Sequence, residues 1–88
     1  MQRIKVAVLR GGPSSEFEVS LNTGKNVLEN LPHRYIPTDV FISKDGVWHV
    51  DGVVVSPARL FQGIDVVFNA MHGQYGEDGK VQQLLDQH

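Results

Sequence analysis

The sequence predicts an α/β domain in three layers: a mainly parallel sheet with an added β-hairpin, and helices on both faces. Three observations carry this. Two short apolar runs rich in β-branched residues, 4–9 and 64–68, each lead into a Gly-containing loop. Leu21, Gly24, Leu28 and Leu31 recur at helical spacing after the first run, with Val27 beside them. Asp51-Gly52 separates two valine-rich stretches, the signal for a two-residue hairpin turn.

Each element follows in order. Residues 4–9 form a buried strand that stops at Gly11-Gly12-Pro13. Ser15 and Glu18 stand at capping-box spacing, which predicts a helix start there. Pro32 ends that helix. Gly24 costs a helix about 1 kcal/mol relative to Ala, so it is expected where helix and sheet approach closely. Residues 35–43 read as a second strand, in which Pro37 implies an edge or an irregular start. The hairpin follows, then Ser56-Pro57 as N-cap and first position of a short helix through Phe61. Residues 64–68 are the third core strand. Asp78 is expected to cap a last helix with Val81, Leu84 and Leu85 inward.

Strands alternating with helices imply right-handed crossovers, hence a small Rossmann-like unit. Ligands collect outside the carboxyl ends of such strands. The loops 11–18 and 70–78 both fall there, and they are the most polar and Gly-rich stretches of the chain.

Composition narrows the function. The chain has 88 residues, 41% of them hydrophobic, enough for one small domain. Eight basic against ten acidic side chains give a formal charge of −2, no footing for nucleic acid or an anionic membrane. With no cysteine, disulfides, zinc–thiolate sites and cysteine nucleophiles are excluded. The first apolar run is too short for a signal-peptide core or a membrane span, so a cytoplasmic location is expected. The last helical pattern runs to His88 without a Gly or Pro stop, so residues 1–88 are expected to be one domain cut from something longer.

Several familiar motifs fail. Gly11-Gly12-Pro13-Ser14-Ser15-Glu16 lacks dinucleotide-fingerprint spacing. Gly24-Lys25-Asn26 resembles the end of a P-loop, but Val19 stands where the first Gly is required and Asn26 replaces Ser or Thr. His33, His49, His72 and His88 lack metal-ligand spacing, and no metal site is expected. His33, His49 and His88 read as surface or loop residues. Leu9, Arg10 and Gly11 stand where an acidic phosphoreceiver would need carboxylates.

Two loops carry a resemblance. Gly11-Gly12-Pro13-Ser14-Ser15-Glu16-Phe17-Glu18-Val19-Ser20-Leu21 resembles the first signature of the D-alanine–D-alanine ligase family, G-G-x-S-x-E-x-x-V-S-L, and the match runs on through Gly24. His72-Gly73-Gln74-Tyr75-Gly76-Glu77-Asp78-Gly79 is similar to the second, H-G-x-x-G-E-D-G, with Gln82, Leu84 and Leu85 following as is usual. Two such motifs in order, about fifty residues apart, make a specific pair. Residues 44–60 are generic.

The resemblance implies the N-terminal domain of an enzyme that joins two D-alanines for peptidoglycan through an acylphosphate. It implies that ATP and magnesium bind later domains, with no cofactor in this chain, and that the partners are D-alanine, those domains and a second copy in a homodimer. It implies that Glu16 engages the ammonium of the first D-alanine. Charge-assisted bonds are the strong kind, although an acid in a first helical turn also simply favours the dipole. His72 matches the histidine beside that substrate's carboxylate, and alone it reads equally as a packing residue. Val19 matches an apolar position beside the alanine methyl; ordinary burial on the helix face is its bland reading.

Gly11, Gly12 and Gly73 let backbone approach the substrate or adopt positive φ. Ser15 and Glu18 are assigned to capping and Ser20 to support of loop or helix. Glu77 is expected to hold the His72 loop and Asp78 to cap its helix. Arg10, Pro13, Phe17 and Asn69 depart from the family pattern, though none replaces a matched functional residue. The resemblance places the choice of second substrate largely outside this region. Two rivals stand beside it: a free-standing α/β binding module without catalysis, and another carboxylate–amine ligase, whose first loop should lack the full S-x-E-x-x-V-S-L run.

Overall fold

The computed structural model describes residues 3–71. The expectations on His72, Gly73, Glu77, Asp78 and the last helix lie outside the described residues. In chain order the elements are β1 (Ile4–Gly11), α1 (Phe17–Asn30), β2 (Tyr35–Ile42), β3 (Trp48–Val50), β4 (Val53–Val54), α2 (Pro57–Phe61) and β5 (Val66–Asn69). The strands form one sheet in the order β4-β3-β2-β1-β5.

β1 is central and parallel to both neighbours, with Leu9 level with Val40 on β2 and with Asn69 on β5. The hairpin joins the β2 side antiparallel, so the sheet is mixed: a parallel core of three strands extended by β3 and β4. Val6, Ala7, Val8 and Leu9 are at most 3% exposed. A strand covered on both faces needs apolar side chains at every position, which is why β1 reads as a continuous run rather than an alternation.

The chain leaves β1 for β2 on one side and later returns past β1 to β5 on the other. Right-handed connections running in opposite directions place their helices on opposite faces. The contacts agree. Phe61 of α2 clusters with Ala7, Leu9, Val40, Ile42 and Met71 on one face, and its ring meets Trp48 edge-on at 5.7 Å. On the other face Gly24 of α1 lies against the side chain of Arg10. The expected three layers are therefore present.

Local signals were met unevenly. Ser56 accepts the Arg59 amide at 3.3 Å, with Pro57 opening α2. Asp51 and Gly52 take φ of +52° and +80°, as a tight hairpin turn of this hand requires. α1 ends at Asn30, and Leu31, which precedes Pro32, is extended. Pro37 lies in an interior strand, but β3 pairs only with Val40 to Ile42, so the stretch around Pro37 is an open edge on that side.

Two expectations are corrected. The Ser15–Glu18 capping box does not form: Glu16 occupies the cap position, one residue later than that spacing needs, and no side chain caps the helix. Ser14, not Ser15, accepts the Glu16 amide, at 3.1 Å. His49 is not a loop histidine but a half-buried residue of β3. The β2–β3 register puts it opposite Phe41, ring centres 5.7 Å apart, with Nδ1 buried and without a hydrogen-bond partner among the described residues.

Candidate functional site

The carboxyl ends of β1, β2 and β5 meet at one edge of the sheet. β1 ends in Gly11 and Gly12, at φ +100° and +96°, a region that favours glycine. At Gly11 a side chain is excluded outright, since a Cβ would stand 2.2 Å from the Ile42 carbonyl oxygen. The Gly12 amide donates to that same oxygen at 2.8 Å, and the Gly11 amide donates to Ser20 Oγ at 2.9 Å. The turn is thus pinned from β2 on one side and from α1 on the other.

That turn delivers Glu16 to the start of α1, half-buried, at φ −89° and ψ 20°. Its carbonyl oxygen accepts the Ser20 amide at 2.8 Å, which fixes its backbone. No described residue bonds its carboxylate. Val19, three residues on and hence on the same side of α1, is 50% exposed. Burial on the helix face is therefore not its role. The inward face of α1 is taken by the smaller Ser20 and Gly24, which let the helix lie close to β1.

β5 brings the second loop to the same edge. The Ala70 amide donates to the Leu9 carbonyl at 2.9 Å, and Ser20 Oγ donates to the Ala70 carbonyl at 2.9 Å. Asn69 Oδ1 accepts the Met71 amide, also at 2.9 Å, so the residue that breaks the apolar run shapes the exit from the strand. A Cβ on Gly12 would stand 2.8 Å from Met71 Sδ. Gly11, Gly12, Glu16 and Ser20 are thereby gathered with Ala70 and Met71. The described chain stops one residue before His72; Gly73, Glu77 and Asp78 lie beyond it as well.

Two further departures from the family pattern, Arg10 and Phe17, make specific contacts. Arg10 lies under α1, its guanidinium gripping both oxygens of Asp39 at 2.9 and 2.7 Å and donating to the Leu21 carbonyl at 3.0 Å. Phe17 stacks edge-on against Phe41 at 5.9 Å, with the Lys44 ammonium 5.2 Å from its ring centre. Neither the Arg10–Asp39 clamp nor the place of Ser14 was foreseen. A charged residue ending a buried strand could have suggested the clamp, but no pattern names its partner.

An open cavity of about 370 Å³ lies on the α1 side of the hairpin, lined by Asp39, Phe41, His49, Asp51 and Gly52. None of the loop residues above lines it. Among the described residues no group of three or more His, Cys, Asp or Glu could hold a metal ion, and no helix is long and apolar enough to cross a membrane.

Comparison with known proteins gives the geometry its context. Residues 5–58 match the family described as D-ala D-ala ligase N-terminus. A D-alanine–D-alanine ligase of Jannaschia sp. is 48% identical over 93% of this chain and 25% of its own length. One from Moorella thermoacetica is 45% identical over 94% and 24%. Among solved structures, the VanG D-Ala:D-Ser ligase of Enterococcus faecalis superposes with a TM-score of 0.79 at 30% identity, over 97% of this chain and 34% of the other. The D-alanine–D-alanine ligase of Coxiella burnetii gives 0.78 at 28%, over 96% and 33%. The chain spans about a quarter of the length of the curated relatives, matching their N-terminal part. The domain belongs to the D-alanine–D-alanine ligase N-terminal family.

Proposed function

We propose that this chain supplies the first D-alanine site of an ATP-dependent D-alanine–D-alanine ligase whose remaining domains lie outside it. In that reaction the carboxylate of one D-alanine accepts a phosphoryl group from ATP, and the amine of a second attacks the resulting acylphosphate. The tetrahedral intermediate expels phosphate and leaves the dipeptide used in peptidoglycan. In this reading ATP and magnesium bind the other domains, and no phosphoryl step is assigned to this chain.

The observation that carries the reading is a carboxylate, Glu16, unpaired among the described residues, at the helix start beside a glycine turn that touches the exit of β5. A substrate ammonium leaving water needs such a partner. Val19 then offers its exposed surface to the alanine methyl, and Gly11, Gly12 and Gly73 give the backbone room beside the substrate. The family motif assigns His72 to the substrate carboxylate, Glu77 to support of its loop and Asp78 to capping. The chain works in the cytoplasm, in a homodimer of the full-length enzyme.

The test is a chimera in which this chain replaces the N-terminal quarter of the 48% identical relative. Bonds to charged groups contribute about 1.5–3 kcal/mol, so Glu16→Gln should lower kcat/KM for D-alanine by about 10- to 100-fold. The KM for ATP should stay within about twofold, because this side chain meets only the amino acid. Parental kinetics in that variant would remove Glu16 from the site.

A further inference from the structure

We infer that Ser20 is a positioning residue that holds the two substrate loops in register; this rests on the ligase reading above. Ser20 is fully buried, the one buried polar side chain among the described residues. Its hydroxyl uses both of its capacities. The oxygen accepts the Gly11 amide at 2.9 Å, and the proton goes to the Ala70 carbonyl at 2.9 Å, fifty residues away in sequence. Its own amide donates to the Glu16 carbonyl at 2.8 Å. One side chain thus joins the end of β1, the residue that carries the carboxylate, and the exit of β5 two residues before His72.

The geometry gives this bridge a kinetic meaning. Gly11 is the last residue of β1, and Ala70 follows the last paired residue of β5, its amide making the final backbone bond to β1, to the Leu9 carbonyl at 2.9 Å. Beyond that backbone bond, among the described residues, the link between loops is Ser20 together with the packing of Gly12 on Met71. Alanine would leave the Gly11 amide and the Ala70 carbonyl buried and unmatched, which each relieves by moving toward water or another partner. Such movement shifts Glu16 relative to the exit of β5. Misplacement by about 1 Å lowers turnover by about 100-fold.

The experiment uses the active chimera with Ser20→Ala and Ser20→Thr, with Glu16→Gln as the control for the site. Ser20→Ala should lower kcat by about 10- to 100-fold and raise the KM for the first D-alanine, with the KM for ATP within about twofold. Ser20→Thr keeps the hydroxyl and should hold kcat within about threefold of the parent. A residue that only stabilises the fold would lower Tm and leave these constants in place. Parental kinetics in Ser20→Ala overturn the inference, as does a Ser20→Thr enzyme as impaired as Ser20→Ala. If Ser20→Ala does not fold, Ser20→Thr decides: near-parental kcat supports the role, and a fall as large as that of Glu16→Gln refutes it. A silent Glu16→Gln removes Glu16 from the site and the Ser20 role with it, whereas an inactive parent chimera defeats the ligase reading itself.

Discussion

Gly24 and Arg10 interlock: a Cβ on Gly24 would stand 2.6 Å from both Cβ and Cδ of Arg10. The arginine stem lies in the slot left by the missing side chain, and its head group then ties α1 to β2 through Leu21 and Asp39.

Alanine at position 24 should therefore destabilise the domain, although the helix itself would gain about 1 kcal/mol. The Arg10 Cβ is fixed to β1 and cannot swing aside, so overpacking of about 1–3 kcal/mol wins. With Arg10→Gly in place, which removes that Cβ, the sign should reverse, and Gly24→Ala should stabilise by up to about 1 kcal/mol. Urea unfolding of the two single variants and the double one measures this; additive effects would show that the interlock has no energetic weight.

Ser56→Ala should lower stability by about 1 kcal/mol, the usual worth of an N-cap. The cap holds a five-residue helix whose Phe61 completes the core. The urea midpoint should fall with an unchanged slope, because the surface exposed on unfolding is the same.

Asp45 predicts a pH effect confined to acid. The Ser43 hydroxyl donates to its carboxylate and, ahead of smaller causes, lowers its pKa below the ordinary value of 3.8. A carboxylate whose folded pKa is depressed adds stability above its unfolded pKa and loses it as pH falls through the folded one. The Tm difference between the parent and Asp45→Asn should be constant above about pH 5 and shrink below pH 3.8. A difference that grew toward acid would contradict this sign.

The 88-residue chain by itself should release no phosphate from ATP in the presence of D-alanine, since it matches only about a quarter of its relatives. A coupled phosphate assay checks this. A robust rate would mean that the chemistry does not need the missing domains.

Some of the local geometry could be read directly from the chain. Gly11 and Gly12 are expected to allow close approach of backbone or positive φ, and both adopt positive φ, because no other residue tolerates that backbone so cheaply. Ser56-Pro57 and Asp51-Gly52 behaved as written, since caps and tight turns involve neighbours only. The Ser15–Glu18 box failed for the opposite reason: the Gly12–Ile42 bond from another strand and the Ser14 turn set where α1 begins, one residue off the local pattern. Val19 was legible as apolar but not as exposed.

The sequence by itself determined the elements, the hairpin and the family, because hydrophobic period, turn chemistry and two contiguous motifs are local properties of the chain. Only the tertiary structure decided that Arg10 clamps Asp39, that His49 is half-buried beside Phe41, and that Ser20 spans from Gly11 to Ala70. Those partners are separated by 8 to 50 residues and meet because β1 lies between β2 and β5, with α1 packed over its end. Pairing across a sheet depends on strand order and register, which no short stretch of residues encodes.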